Sequence, residues 1–113
     1  MIGKQSVEIE KLLAKLQLVP VVSLPSVEAG LRLAKILIHC DLPVVEVTFR
    51  TPYAAEAISE MKKEFDELLI LAGTVLSTDQ VDIAYDSGAE CIVTPGFHAD
   101  LVKYCQDRNM MVC

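Results

Sequence analysis

The chain has 113 residues, 52% of them hydrophobic, and a formal net charge of −6. A chain of this size buries roughly two thirds of its unfolded surface in one core, which excludes disordered and fibrous classes; the acidic balance excludes a long-range field that gathers nucleic acid or anionic lipid. No apolar run approaches the ~20 residues that span a bilayer, and "MIGKQSVEIEKLLAKL" is too charged for a signal peptide, so a cytoplasmic protein with Cys40, Cys91, Cys105 and Cys113 reduced is expected.

Ile9, Leu12, Leu13 and Leu16 mark one face of a first helix. Short apolar runs then alternate with amphipathic ones: "VPVVS" from Val19, "VVEVTF" from Val44, "LLILA" from Leu68, "ECIVT" from Glu90 and "MMVC" from Met110. Each interval holds one helix. Ser26 caps a helix whose polar stripe is Glu28, Arg32, Lys35 and His39. Thr51 with Pro52 reads as an N-cap followed by proline at the first helical position, ahead of an apolar face of Ala54, Ala57, Ile58, Met61 and Phe65. "EMKKEFDE" closes that helix as a solvated, charge-rich turn. "STDQ" at 77–80 is a capping box, with Gly88 as the stop. No linker interrupts the pattern, so residues 1–113 read as a single domain segment.

Near-continuously apolar strands separated by helices predict a parallel sheet covered by helices. Two architectures fit. A five-stranded doubly wound sheet suits the length, but the first strand-to-helix turn, "SLPS", has no phosphate-cradling glycine. A β/α barrel needs eight units and roughly 200 residues or more, yet it explains where the polar residues fall.

In "VVEVTFRTPYAAEAI", Val45, Val47 and Phe49 share one strand face, and Glu46 and Thr48 share the other, with Arg50 continuing that side. At ~3.3 Å per residue, Glu46 and Arg50 lie about 13 Å apart along an extended strand, too far for a relaxed ion pair. Either the chain kinks after Thr48 and the two side chains pair, or they face something held between them. A carboxylate turned into a barrel interior needs a partner or a shifted pKa. Gly73 and Thr74 fall where the third strand stops, and Thr94, Pro95 and Gly96 where the fourth stops. In a barrel these ends form the C-terminal rim, the face that carries chemistry. Glycine there permits close backbone approach to a ligand, and threonine offers a hydroxyl and an N–H to an anion.

These stretches, together with "AGTVLS", "SGAECIVTPGF" and the opening "VPVV", resemble the KDPG/KHG (2-keto-3-deoxy-6-phosphogluconate) aldolases from about Leu18 to the end, in the family's order and spacing. The resemblance implies the (β/α)8 TIM-barrel fold, here the first four to five β/α units plus an N-terminal helix. It implies class I chemistry, in which a lysine forms a Schiff base with the keto acid and serves as an electron sink. Glu46 would be the general acid/base. Arg50 and Thr74 would hold the pyruvate carboxylate, and Pro95 would line the apolar side of the pyruvate site. No cofactor or metal is implied; the partners are a small keto-acid substrate and, in a homotrimer, further copies of the chain. The cleaved substrate would be 2-keto-3-deoxy-6-phosphogluconate, with 4-hydroxy-2-oxoglutarate as the related one.

The family's Schiff-base lysine lies on the sixth strand and its phosphate-binding turns later still, whereas Lys4 falls in the N-terminal arm and Lys11, Lys15, Lys35, Lys62, Lys63 and Lys103 at polar helix positions. The expectation is a longer polypeptide whose N-terminal half is read here; the alternatives are a non-catalytic half-barrel that binds an anion or assembles with a partner, and the doubly wound binding module. The family pattern also places an arginine soon after the first strand, where this chain has Ser23-Leu24. His39 reads as a solvated helix end, and His98 as a rim residue within reach of substrate.

Overall fold

The computed structural model describes residues 4–113, in the order α1 (Lys4–Leu16), β1 (Val21–Val22), α2 (Val27–His39), β2 (Val44–Thr48), α3 (Ala54–Glu64), β3 (Leu69–Gly73), α4 (Thr78–Ser87), β4 (Cys91–Ile92), α5 (Ala99–Asp107) and β5 (Met111–Val112). Met1–Gly3, the start of the charged N-terminal stretch, lie outside the described residues. All strand pairs are parallel, and the sheet order is β1-β2-β3-β4-β5. A doubly wound sheet reverses its order at a switch point. Here each strand lies beside its predecessor, as in the wall of a β/α barrel.

The two faces of the sheet are covered differently. Val45, Val47, Ile70, Ala72 and Ile92 face outward into one core with Ala34 and Leu37 of α2, Ala57, Ile58 and Met61 of α3, Val81 and Ala84 of α4, and Leu101 and Cys105 of α5. Complete burial of side chains such as Ile58, Ile70 and Ile92 stabilises the fold by roughly 1.5–3 kcal/mol each. Helices α2 to α5 therefore all lie on one side. The opposite face presents Val44, Leu69, Leu71 and Cys91, and α1 packs there through Ile9, Leu12, Leu13 and Leu16. The period-2 alternation read from β2 is thus the partition between two cores.

Caps follow the sequence with one exception. Ser26 Oγ accepts from Ala29 N at 3.1 Å, and Ser77 Oγ accepts from Gln80 N at 3.2 Å, while Gln80 Oε1 accepts from Leu76 N at 2.7 Å. Gly88 ends α4 in the left-handed region at φ 109°. Thr51, expected as the cap of α3, is not one: the helix begins at Ala54 behind Tyr53, which makes no side-chain cap bond. Thr51 Oγ1 is buried without a hydrogen-bond partner among the described residues, because residues 51–53 form a turn and the Ala54 N–H goes to the Thr51 carbonyl at 3.4 Å. Lys62 also departs from the solvated surface expected of "EMKKEFDE". Its ammonium donates to Glu90 Oε1 at 2.6 Å and to the carbonyls of Asp66 and Leu68 at 3.0 and 2.8 Å, pinning the end of α3 to the entries of β3 and β4. Lys4, read as part of an N-terminal arm, begins α1.

Candidate active site

Strand register stacks the inner face in rows. Glu46 is level with Val21, Leu71 and Cys91 through consecutive pairings, and one pleat higher Thr48 is level with Gly73. Below Glu46, Val44 and Leu69 pair and meet the α1 side chains. The face therefore runs from apolar at the α1 end to polar at the C-terminal end of the strands.

Glu46 is half-buried on this face, and burial raises its carboxyl above the ordinary value, since desolvation disfavours the charged form. It does not pair with Arg50: among the described residues neither side chain takes part in an ion pair. The Glu46 side chain instead lies against Gly73. A Cβ at Gly73 would stand 2.9 Å from Glu46 Cγ and 2.7 Å from Cδ, with Oε2 nearer still. Sequence reasoning assigned that glycine's openness to a ligand; the group that uses it is a carboxylate of the chain itself.

Thr74 follows directly, with φ at 55°. A β-branched residue in the left-handed region costs about 1–3 kcal/mol, and neighbouring bonds must hold it there. Phe49 N donates to Gly73 O at 2.8 Å and Val75 N to Val93 O at 3.2 Å, fixing the chain on either side. On the other flank of β2, Ser23 Oγ and Thr48 Oγ1 share a hydrogen bond of 2.8 Å, so the residue that stands near the family's arginine position closes onto the strand carrying Glu46. This hydroxyl pair was not foreseen; the signal was present in Thr48's place on the Glu46 face.

Arg50, Pro95 and His98 follow the C-terminal ends of β2 and β4 and make no hydrogen bond or ion pair with Glu46, while His39 lies at the other end of the sheet. Arg50 is exposed in the turn after β2, and Pro95 is exposed in the turn after β4, where Thr94 Oγ1 donates to Gly96 O at 2.7 Å. His98 is exposed and precedes α5 without a side-chain cap bond; His39 is exposed in the last turn of α2. Lys11, Lys15, Lys35, Lys63 and Lys103 are exposed on helices and Lys62 is engaged at the opposite end of the strands; none of these lysines lies at the C-terminal end of a strand.

Two thiols complete the inner surface. Cys91 and Cys113 are free, with sulfurs 3.8 Å apart on neighbouring strand segments. The shared thiol hydrogen bond, then burial, pushes Cys91 up, and the same bond pulls Cys113 down to about 7 against burial and the Glu46 and Glu10 carboxylates. No group of three or more metal-ligating side chains exists among the described residues, and no helix there is long and apolar enough to cross a membrane.

This arrangement has close counterparts. The family model for KDPG and KHG aldolase matches residues 9–113. The 2-dehydro-3-deoxy-phosphogluconate aldolase of Haemophilus influenzae is 44% identical over 104 residues, 92% of this chain and 49% of that protein. The crystal structure of the 2-keto-3-deoxy-6-phosphogluconate aldolase of Zymomonas mobilis ZM4 with 3-phosphoglycerate superposes with a TM-score of 0.85 at 34% identity, covering 93% of this chain and 50% of that one. The KDPG aldolase of Legionella pneumophila, whose structure holds pyruvate as a covalent carbinolamine intermediate, gives a TM-score of 0.78 at 32% identity over 83% and 46% of the two chains. The chain spans about half the length of the curated relatives it matches. With its strand order, its inward glutamate and this coverage, the chain belongs to the KDPG and KHG aldolase family.

Proposed function

We propose that the protein is a class I aldolase that cleaves 2-keto-3-deoxy-6-phosphogluconate to pyruvate and glyceraldehyde 3-phosphate, and that residues 1–113 are one domain segment, the N-terminal half of its β/α barrel. The observation that carries this reading is a half-buried carboxyl with a raised pKa on the inner face, set against the end of β3. The lysine lies outside this segment. Its amine adds to the keto carbon, water leaves, and the imine accepts the electron pair of the breaking carbon–carbon bond as an enamine. Glu46 takes the proton of the substrate hydroxyl as the aldehyde departs, and returns a proton to the enamine carbon. A carboxyl whose pKa is moved toward neutrality suits both directions of that transfer. Arg50 and Thr74 bind the pyruvate carboxylate, Arg50 through a planar guanidinium suited to paired charge-assisted hydrogen bonds and Thr74 through its hydroxyl and N–H. Pro95 forms the apolar wall beside the pyruvate methyl carbon. A homotrimeric, cytoplasmic enzyme accords with this reading.

Names of relatives support both 2-keto-3-deoxy-6-phosphogluconate and 4-hydroxy-2-oxoglutarate as substrates, the Escherichia coli relative being a KHG/KDPG aldolase. The pyruvate half is common to both. Treatment of the full-length protein with pyruvate and borohydride tests the reading: an intact mass increased by one reduced pyruvate adduct is expected, and an unchanged mass sinks it.

A further inference from the structure

Gly73 is required by neither its backbone nor its strand. Among the described glycines only Gly88 has a positive φ, so an alanine substituted for Gly73 meets no left-handed penalty. A glycine closing a strand packs no side chain and loses more freedom on folding than any other residue. What an added methyl meets is one side chain. The three atoms nearest its Cβ all belong to Glu46.

The register explains the contact. Glu46 pairs with Leu71, whereas Gly73 pairs with Thr48, one pleat nearer the rim. Glu46 therefore does not stand straight out from its own level; it leans diagonally along β3, and its carboxylate occupies the space that a side chain at this position would fill. Removing that slot leaves the carboxylate no route along β3 toward Thr74, because Leu71 fills the level below.

We infer that Gly73 is a positioning residue for the acid/base: its missing side chain is the slot through which Glu46 reaches the rim. This inference rests on Glu46 having the acid/base role proposed above. Because the obstruction is a single carbon, shortening the acid by one carbon compensates for it. The effects of Gly73→Ala and Glu46→Asp are then non-additive, as expected for residues sharing one cavity.

The test measures deuterium exchange into the pyruvate methyl group, borohydride trapping and melting temperature in the full-length protein carrying Gly73→Ala, Glu46→Asp, both, or Glu46→Gln. Gly73→Ala is expected to slow exchange at least tenfold while trapping persists, and Glu46→Asp is expected to slow exchange less when combined with Gly73→Ala than in the parent. Exchange by Gly73→Ala within twofold of the parent, or losses that simply multiply, overturns the slot. Undiminished exchange in Glu46→Gln overturns the acid/base reading instead, and the slot with it. If Gly73→Ala lowers the melting temperature too far for assay, the same substitution is made with Glu46→Ala: recovery of the melting temperature supports the contact, and an undiminished loss refutes it.

Discussion

The two faces of the sheet are made from the same strands and answer to different demands. The outer face is aliphatic along its whole length and meets four helices; the inner face begins as apolar against α1 and ends with a carboxyl, two hydroxyls, a glycine and a left-handed threonine. Packing tolerates no unpaired charge, so the outer face serves stability alone. The inner face accepts a raised carboxyl pKa and a strained backbone at its upper end only, where the outer core and the α1 plug hold the strands in place.

Four substitutions put this contrast at risk. Glu46→Gln has the largest expected effect, slowing pyruvate proton exchange by roughly 10²–10⁴-fold, the range of a lost general acid/base. It is also expected to stabilise the protein at neutral pH. Because burial raises the folded-state pKa of Glu46, the folded protein holds more protons than the unfolded chain above the ordinary value of 4.5, and stability falls as pH rises through that window. Melting temperatures of the glutamine variant should exceed those of the parent at pH 7 and coincide with them near pH 4; a lower melting temperature at pH 7 would contradict an active-site cost at this position.

Ile70→Ala, on the outer face of β3, is expected to cost about 2–5 kcal/mol in urea unfolding through cavity formation, with KM unchanged in the surviving folded enzyme. Arg50→Ala is expected to raise KM at least roughly tenfold to a hundredfold, the value of one of its paired charge-assisted hydrogen bonds, and to leave the melting temperature within a degree or so because the side chain is exposed and unpaired among the described residues. Ser77→Ala removes one helix cap and is expected to cost about 1 kcal/mol without altering turnover.

Much of this contrast was legible in the sequence because it is periodic. Alternation in "VVEVTF" separated Val45 and Val47 from Glu46, and Ser26, Ser77 and Gly88 announced helix ends that the backbone then used. Local rules failed where geometry was set by distant partners. Thr51-Pro52 has the composition of a cap, but the turn buries the threonine hydroxyl instead of turning it to the helix. Lys62 occupies a polar helix position yet is drawn to Glu90, 28 residues away. The Glu46 contact with Gly73 depends on the register of two strands, and no spacing along the chain encodes it. The family resemblance supplied the expected roles of Arg50, Thr74 and Pro95; their residue types alone are compatible with ordinary turns.

Pairing along the sheet is uneven: β2 and β3 match over all five positions from Val44↔Leu69 to Thr48↔Gly73, while every other pair matches over two. The acid and the glycine beside it thus belong to the one ladder whose amide protons are shielded by a full run of hydrogen bonds on a strand flanked on both sides. Parting Glu46 from Gly73 therefore requires opening a ladder of five matched positions, a larger cooperative unit than any of the two-position pairings beside it.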